Sequence, residues 1–235
     1  MRWTRGFVVV ALLLLAGCAK PPANQGVTND PPASQSPTPG ETAGLAGTSS
    51  GPLVVPAAAM LQPADLKGAR TDKAESDLAP HLRPPRPCGT VGPSEAQRDS
   101  AAAIKALYPQ AGGAGSEMPT VLIELVMRFR GDGAAKYLAE LRADLDKCRA
   151  ADKNGRTWVL TGEGLVGESV QLSVTERVEV GDGQRVPQTL PVIVGRVGDT
   201  VFMLTDLGWE SGHGHEDLVR ALGPKAAERI RNAIK

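Results

Sequence analysis

The chain has 235 residues, with Lys plus Arg and Asp plus Glu equal at 26 each, so no global field favours nucleic acid or an acidic substrate. Aromatic residues make up 3% of it, which leaves the core to aliphatic side chains and supplies few stacking platforms for sugars or bases. The cysteine count is three, and in an exported protein an odd count demands a separate role for one of them.

The N-terminus supplies that role. Arg2 and Arg5 precede the apolar run 7–15, and the run leads into Leu15-Ala16-Gly17-Cys18. A positive start, an apolar core of ~7–15 residues and small residues before a cleavage point form a secretory signal, too short to span a bilayer. Leu-Ala-Gly-Cys resembles the lipobox of bacterial lipoproteins. That resemblance implies a diacylglycerol on the Cys18 thiol and cleavage before it by signal peptidase II. An ordinary signal peptide, or an internal apolar helix with a chance cysteine, is the plainer alternative.

Residues 19–51 carry Pro, Gly, Ser and Thr throughout and almost nothing to bury, so they read as a tether. A flexible chain of that length reaches about 30 Å. The expected organisation is a lipoprotein signal peptide at residues 1–17, a lipidated Cys18 with its tether at 18–51, and one folded domain at 52–235. With Cys18 assigned to the lipid, Cys88 and Cys148 remain as a pair in a chain that leaves the reducing cytoplasm, and a disulfide is expected. Two free thiols are the alternative, because compartment alone does not bring two side chains together.

Folded character begins near Pro52. A short apolar run at 53–55 precedes a possible helical turn or two at 57–66, and the polar, proline-bearing residues 67–87 read as extended loop carrying Cys88 inward. Residues 100–108 are assigned to a strand, followed by a loop with Gly112, Gly113 and Gly115. Residues 121–129 alternate strongly, with Val, Ile, Leu, Met and Phe at the odd positions and Glu124 and Arg128 on the other face; this is a central strand. Asp132 then caps an amphipathic helix whose stripe is Ala134, Tyr137, Leu138, Leu141, Leu145 and Cys148. Its outward residues Lys136, Glu140, Arg142, Asp144 and Lys147 read as a solvated face.

Strands are expected at 157–161, 169–180, 186–197 and 201–205, joined as a meander through turns at Gly181-Asp182-Gly183 and Gly198-Asp199. A short helix at 216–222 is expected to stop at Gly223, with Pro224 opening a last helix to about residue 234. The fold class is therefore α+β: an antiparallel sheet, an amphipathic helix on one face, a C-terminal helical tail and one disulfide.

Candidate chemistry is sparse. The string WESGHGHED at 209–217 places His213, His215 and Glu216 together, and imidazoles with a carboxylate suit zinc. A third ligand at a recognised spacing is missing there, His81 lies far off in sequence, and Glu216 and Asp217 also simply suit the first turn of a helix. Residues 162–167 spell G-x-G-x-x-G, but a strand-like segment follows where a nucleotide fingerprint needs a helix, so an inter-strand loop is expected. Arg128 and Arg130 are assigned to solvent rather than to an anion clamp. Neither a nucleophile elbow nor a Ser or Cys beside a base stands out. No catalytic residue, metal or cofactor is expected.

The order of the pieces carries a resemblance. A short helix after an apolar start, a Cys in a proline-containing segment, an alternating strand, a helix ending in Cys (GAAKYLAELRADLDKC) and final strands around RVGDTVFML resemble the extracellular sensor domain family. That family is typified by the mycobacterial serine/threonine kinase PknH and occurs also in actinobacterial lipoproteins. The resemblance spans about residues 53–207 and implies an antiparallel sheet with packed helices, a cleft between them and binding of an extracytoplasmic ligand. Two features depart from it: the family typically has two disulfides, and a helical tail stands here in place of a late Cys region.

The favoured reading is a lipid-anchored, extracytoplasmic binding or sensor-like lipoprotein without catalysis, of unknown ligand. Its expected partners are the membrane, through Cys18, and an unidentified extracytoplasmic ligand or protein, with no nucleic acid. The alternatives are a secreted metal-dependent hydrolase using the His213 and His215 loop, and a carrier of apolar molecules, which requires a large apolar cavity.

Overall fold

The alternating segment lies inside a longer strand on which the rest of the domain is assembled. The computed structural model describes residues 51–74, 78, 80–108, 119–149, 155–181, 183–209 and 212–235. Among them seven strands form one antiparallel sheet: β1 (Arg70–Lys73), β2 (Arg98–Tyr108), β3 (Thr120–Phe129), β4 (Thr157–Glu163), β5 (Glu168–Glu179), β6 (Arg185–Val197) and β7 (Thr200–Asp206). Their order across the sheet is β1-β2-β3-β7-β6-β5-β4. The expected meander is present as β4 to β7, and its last strand returns to β3, with Ile123 opposite Thr205 and Met127 opposite Val201.

Helix α1 (Gly133–Lys147) carries the chain from β3 to the far edge at β4. It buries Ala134, Tyr137, Leu138, Leu141 and Leu145, the expected stripe, against Leu125, Met127 and Phe129 of β3 and the inward residues of the meander. Burial of each of the three leucines contributes about 1.5–3 kcal/mol before entropy is counted. Cys148 is the residue that ends the helix, and its disulfide to Cys88 joins α1 to the proline-containing segment. Asp132 does sit at the N-cap but makes no capping bond; its carboxylate accepts from Gln97 and pairs with Lys136.

The C-terminal segment departs from expectation. One helix, α2, runs from Glu216 to Ala233 with Pro224 inside it, so neither Gly223 nor Pro224 ends a helix. Val219 and Leu222 before the proline, and Ala226, Ala227 and Ile230 after it, are all buried on the sheet, so packing on both sides offsets the lost backbone bond. A Cβ at Gly223 would meet Ile193 Cδ1 at 3.4 Å, an ordinary van der Waals contact, so neither a helix stop nor close packing requires glycine there.

Nor is α2 a tail. It covers the second face of the sheet together with residues 57–66, packing on Leu122, Val126, Phe202 and Leu204. Both faces of β3 are therefore buried, and Glu124, on the face opposite the alternating apolar residues, has no exposure at all. Its carboxyl accepts a hydrogen bond from the Leu61 N–H at 2.8 Å, and burial pushes its pKa up to about 8.

Smaller differences follow from the same two-layer packing. Residues 57–66 form a 3₁₀ turn at Ala57–Ala59 and then further turns, and the segment read as extended loop contains the edge strand β1. Glu140 is not solvated: it accepts from Arg86 at 2.8 Å, from the Ser94 N–H at 2.8 Å and from the Ser94 hydroxyl at 2.6 Å. Arg128 pairs with Asp199 and Arg130 with Asp99. Gly198, with φ of 59°, makes the tight β6–β7 turn as expected. The G-x-G-x-x-G string is the β4–β5 hairpin, with Gly164 at φ 71°. Gly112, Gly113, Gly115 and Asp182 lie outside the described residues, as do Cys18 and the tether up to residue 50.

Candidate functional site

A cleft of about 240 Å³ opens on the α2 face, between the first turn of α2 and strands β4 to β6. Residues 207–209 and 212–215, between β7 and α2, form one wall of it, held against β6 and the end of β7. Asp206, fully buried, accepts hydrogen bonds from the Gly208 N–H at 2.8 Å, the His215 N–H at 2.8 Å and the Thr120 hydroxyl. Gln188 donates through Nε2 to the carbonyls of Leu207 at 2.9 Å and Gly212 at 2.7 Å. Gly214 N–H donates to Thr189 O at 3.0 Å. A Cβ at Gly214 would fall 2.1 Å from Asp206 O and 2.6 Å from Pro191 Cδ, so glycine is needed for this close approach.

The two histidines are fixed by opposite kinds of partner. Thr189 N–H donates to His213 Nδ1 at 2.9 Å, so Nδ1 carries no proton and the ring's N–H is on Nε2. His215 Nδ1 lies 2.8 Å from Asp206 Oδ2 and is the donor there. A neutral His213 in this arrangement has its free lone pair already engaged, and only His215 retains one at Nε2. Among the described residues no group of three or more His, Cys, Asp or Glu side chains could hold a metal ion. His213 and Glu216 line the cleft, whereas His215 is turned to Asp206.

What the cleft does bring together is a set of donors around one carboxylate. Arg220, one turn into α2, donates to the Gln171 side-chain oxygen and lies 3.8 Å from Glu216. Gln171, Ser173 and Thr189 come from the sheet and Thr161 from the edge strand. Pro191, Ile193 and Val219 form the apolar part of the lining. Such a mixture of an apolar floor and convergent polar groups suits a small ligand that offers acceptor oxygens. On both faces of the sheet the helices bury clusters made mainly of aliphatic side chains, with Phe129, Tyr137, Trp158 and Phe202 among them.

Arg220, Gln171 and Ser173 were not foreseen. A signal existed in β5, where Gln171, Ser173 and Thr175 alternate with Val170, Leu172 and Val174 in a strand that is interior to the sheet. Glu216 and Arg220, four residues apart on one helix, were the other sign.

Comparison with protein-family models found no match, and comparison with curated proteins found none either. Among solved structures the chain is similar to the extracellular domain of PknH from Mycobacterium tuberculosis, at 13% identity and a TM-score of 0.43, over 74% of this chain and 94% of that one. A likeness of this size transfers no residue role or ligand, and the function is argued from this chain's own side chains. No described helix is long and apolar enough to cross a membrane.

Proposed function

We propose that this is a lipid-anchored, extracytoplasmic binding lipoprotein, sensor-like and non-catalytic, which holds a small polar ligand in the cleft beside α2. The observation that carries the binding role is the convergence of Arg220, Glu216, His213 and Gln171 on one open cleft whose loop is fixed from beneath by Asp206 and Gln188. Side chains held in this way are preorganised, so less ordering is lost when a ligand binds. The lipobox at Leu15 to Cys18 supports the anchor, and the Cys88–Cys148 disulfide suits an oxidising compartment. The membrane is then the partner through Cys18, and the tether gives the domain its stand-off.

Native mass spectrometry of the protein isolated from its own membrane tests both parts. The expected result is a diacylglyceryl mass increment on a chain beginning at Cys18, together with a co-purified ligand that is lost in Arg220→Ala. A chain without the lipid increment refutes the anchor. A ligand retained equally by Arg220→Ala and Glu216→Gln refutes the cleft as its site.

A further inference from the structure

On the α1 face, the segment leading to Cys88 walls a second groove. Residues 80–91 read PHLRPPRPCGTV, and their prolines favour extended backbone. Three ties fix this wall: the Cys88–Cys148 disulfide, a hydrogen bond from the Tyr137 hydroxyl to Pro85 O at 3.1 Å, and the Arg86 to Glu140 ion pair at 2.8 Å. Trp158 of β4 forms part of the opposite side, with the Arg156 guanidinium 5.3 Å from its ring centroid.

The groove holds about 340 Å³. Four arginines, Arg83, Arg86, Arg98 and Arg156, line it against one carboxylate, Glu95. In a chain whose formal charges cancel, this is a local excess of positive charge in a concave site. Glu140 engages Arg86 and Glu95 engages Arg98, whereas Arg83 is exposed and has no ion-pair partner among the described residues.

A smaller cavity of about 40 Å³ shares Arg83, Arg156 and Trp158 with the groove, has His81 and one carboxylate, Glu176, in its lining, and extends to the sheet at Met203 and Thr205. Trp158 and Thr205 are only 8% and 4% exposed. Their Nε1 and Oγ1 atoms have no hydrogen-bond partner among the described residues. Buried donors without an acceptor are costly, and a group rich in acceptor oxygens entering from the groove would relieve that cost.

We propose that this arginine-rimmed groove is a second binding site, specific for a phosphate or phosphate ester. Arginine forks pair with phosphate bidentately, and the tetrahedral anion accepts from several directions at once, as donors arranged around a groove require. The phosphate can belong to a soluble molecule or to a phospholipid headgroup; the recognition chemistry is the same.

The test uses the full chain in neutral detergent, titrated with inorganic phosphate and with glycerol phosphate at constant ionic strength, and read by tryptophan fluorescence and melting temperature. A parallel arm places it in phosphatidylcholine vesicles with and without phosphatidylglycerol. We expect a saturable response to at least one phosphate source, weakened about tenfold in the Arg83→Ala, Arg98→Gln double variant. A response that is lost in Arg220→Ala and kept in the double variant places the phosphate in the other cleft and overturns the proposal. A response to phosphatidylglycerol alone assigns the phosphate to a headgroup, and a response to the soluble probes assigns it to a free ligand. Silence in both arms, a matching response to chloride, or an unweakened double variant overturns the proposal.

Discussion

Replacing Glu124 by Gln measures what the second buried layer costs. Burial is the main cause that pushes this carboxyl up to about 8 from an ordinary 4.5; the Leu61 N–H bond works against the rise and the nearby Asp65 charge adds to it. The folded state therefore holds the proton more tightly than the unfolded chain. Stability is intact below about pH 4.5 and falls as the pH rises through about 8. At pH 7 the loss amounts to about 3 kcal/mol, and above pH 8 it levels off at about 5 kcal/mol. Glutamine keeps an acceptor for Leu61 N–H but brings an amide NH₂ to the position of Oε1, which has no partner among the described residues. The neutral acid of the parent places its own O–H at that same unpartnered position, so only the amide's second N–H is an added cost, about 1 kcal/mol. The two forms should thus be similar near pH 5, and the variant should lead by roughly 2 kcal/mol near neutrality and roughly 4 kcal/mol near pH 9. Urea unfolding followed by circular dichroism across this range gives both curves, and their difference isolates Glu124 from other titrating groups. A difference that does not change with pH refutes the reasoning, because it means Glu124 ionises as freely in the folded state as in the unfolded one.

Three further outcomes follow from the packing. The double variant Cys88→Ser, Cys148→Ser removes a cross-link between residues separated by 60 in sequence. It should lower unfolding stability by about 4 kcal/mol on the chain-entropy model; two freely titrating thiols in the native parent contradict the bond. Gly214→Ala forces a Cβ into Asp206 O and should cost about 1–3 kcal/mol, seen as a lower urea midpoint. An unchanged midpoint shows that the loop can move away. Pro224→Ala restores an N–H inside α2 and should raise stability by about 1–2 kcal/mol, the helix gain less the greater entropy of the unfolded chain. A loss of stability instead shows that the packing of α2 depends on the proline.

The first layer was legible because its signals are local. Alternation in β3, the 3.6-residue stripe of α1 and the turn at Gly198 each declare themselves within a few residues, and counting three cysteines narrowed the disulfide to Cys88 and Cys148. The second layer was misread through Gly223 and Pro224. Taken as stop and start signals, they cut one stripe, Val219, Leu222, Ala226 and Ile230, into pieces too short to demand a partner. With α2 reduced to a tail, nothing covers the second face of β3, and the reading that puts Glu124 on that face leaves it without a burying layer. The near-continuous run VLIELVM was the contrary sign, since strands buried on both faces lose simple alternation.

The cleft was harder for a different reason. Its contacts join distant positions: Arg220 meets Gln171 across 49 residues, Thr189 meets His213 across 24, and Gln188 reaches Gly212 across 24. None of these is a motif, because no spacing along the chain fixes it. His213 and His215, the pair that did look like a motif, are pulled to different partners by Thr189 and Asp206. Adjacency in sequence made them appear as one site, while the backbone between them directs one ring to the cleft and ties the other to a buried carboxylate. The cleft therefore owes its polar character to the outward positions of β5 and the first turn of α2, and a helix that covers the sheet is also what converts those scattered residues into a binding surface.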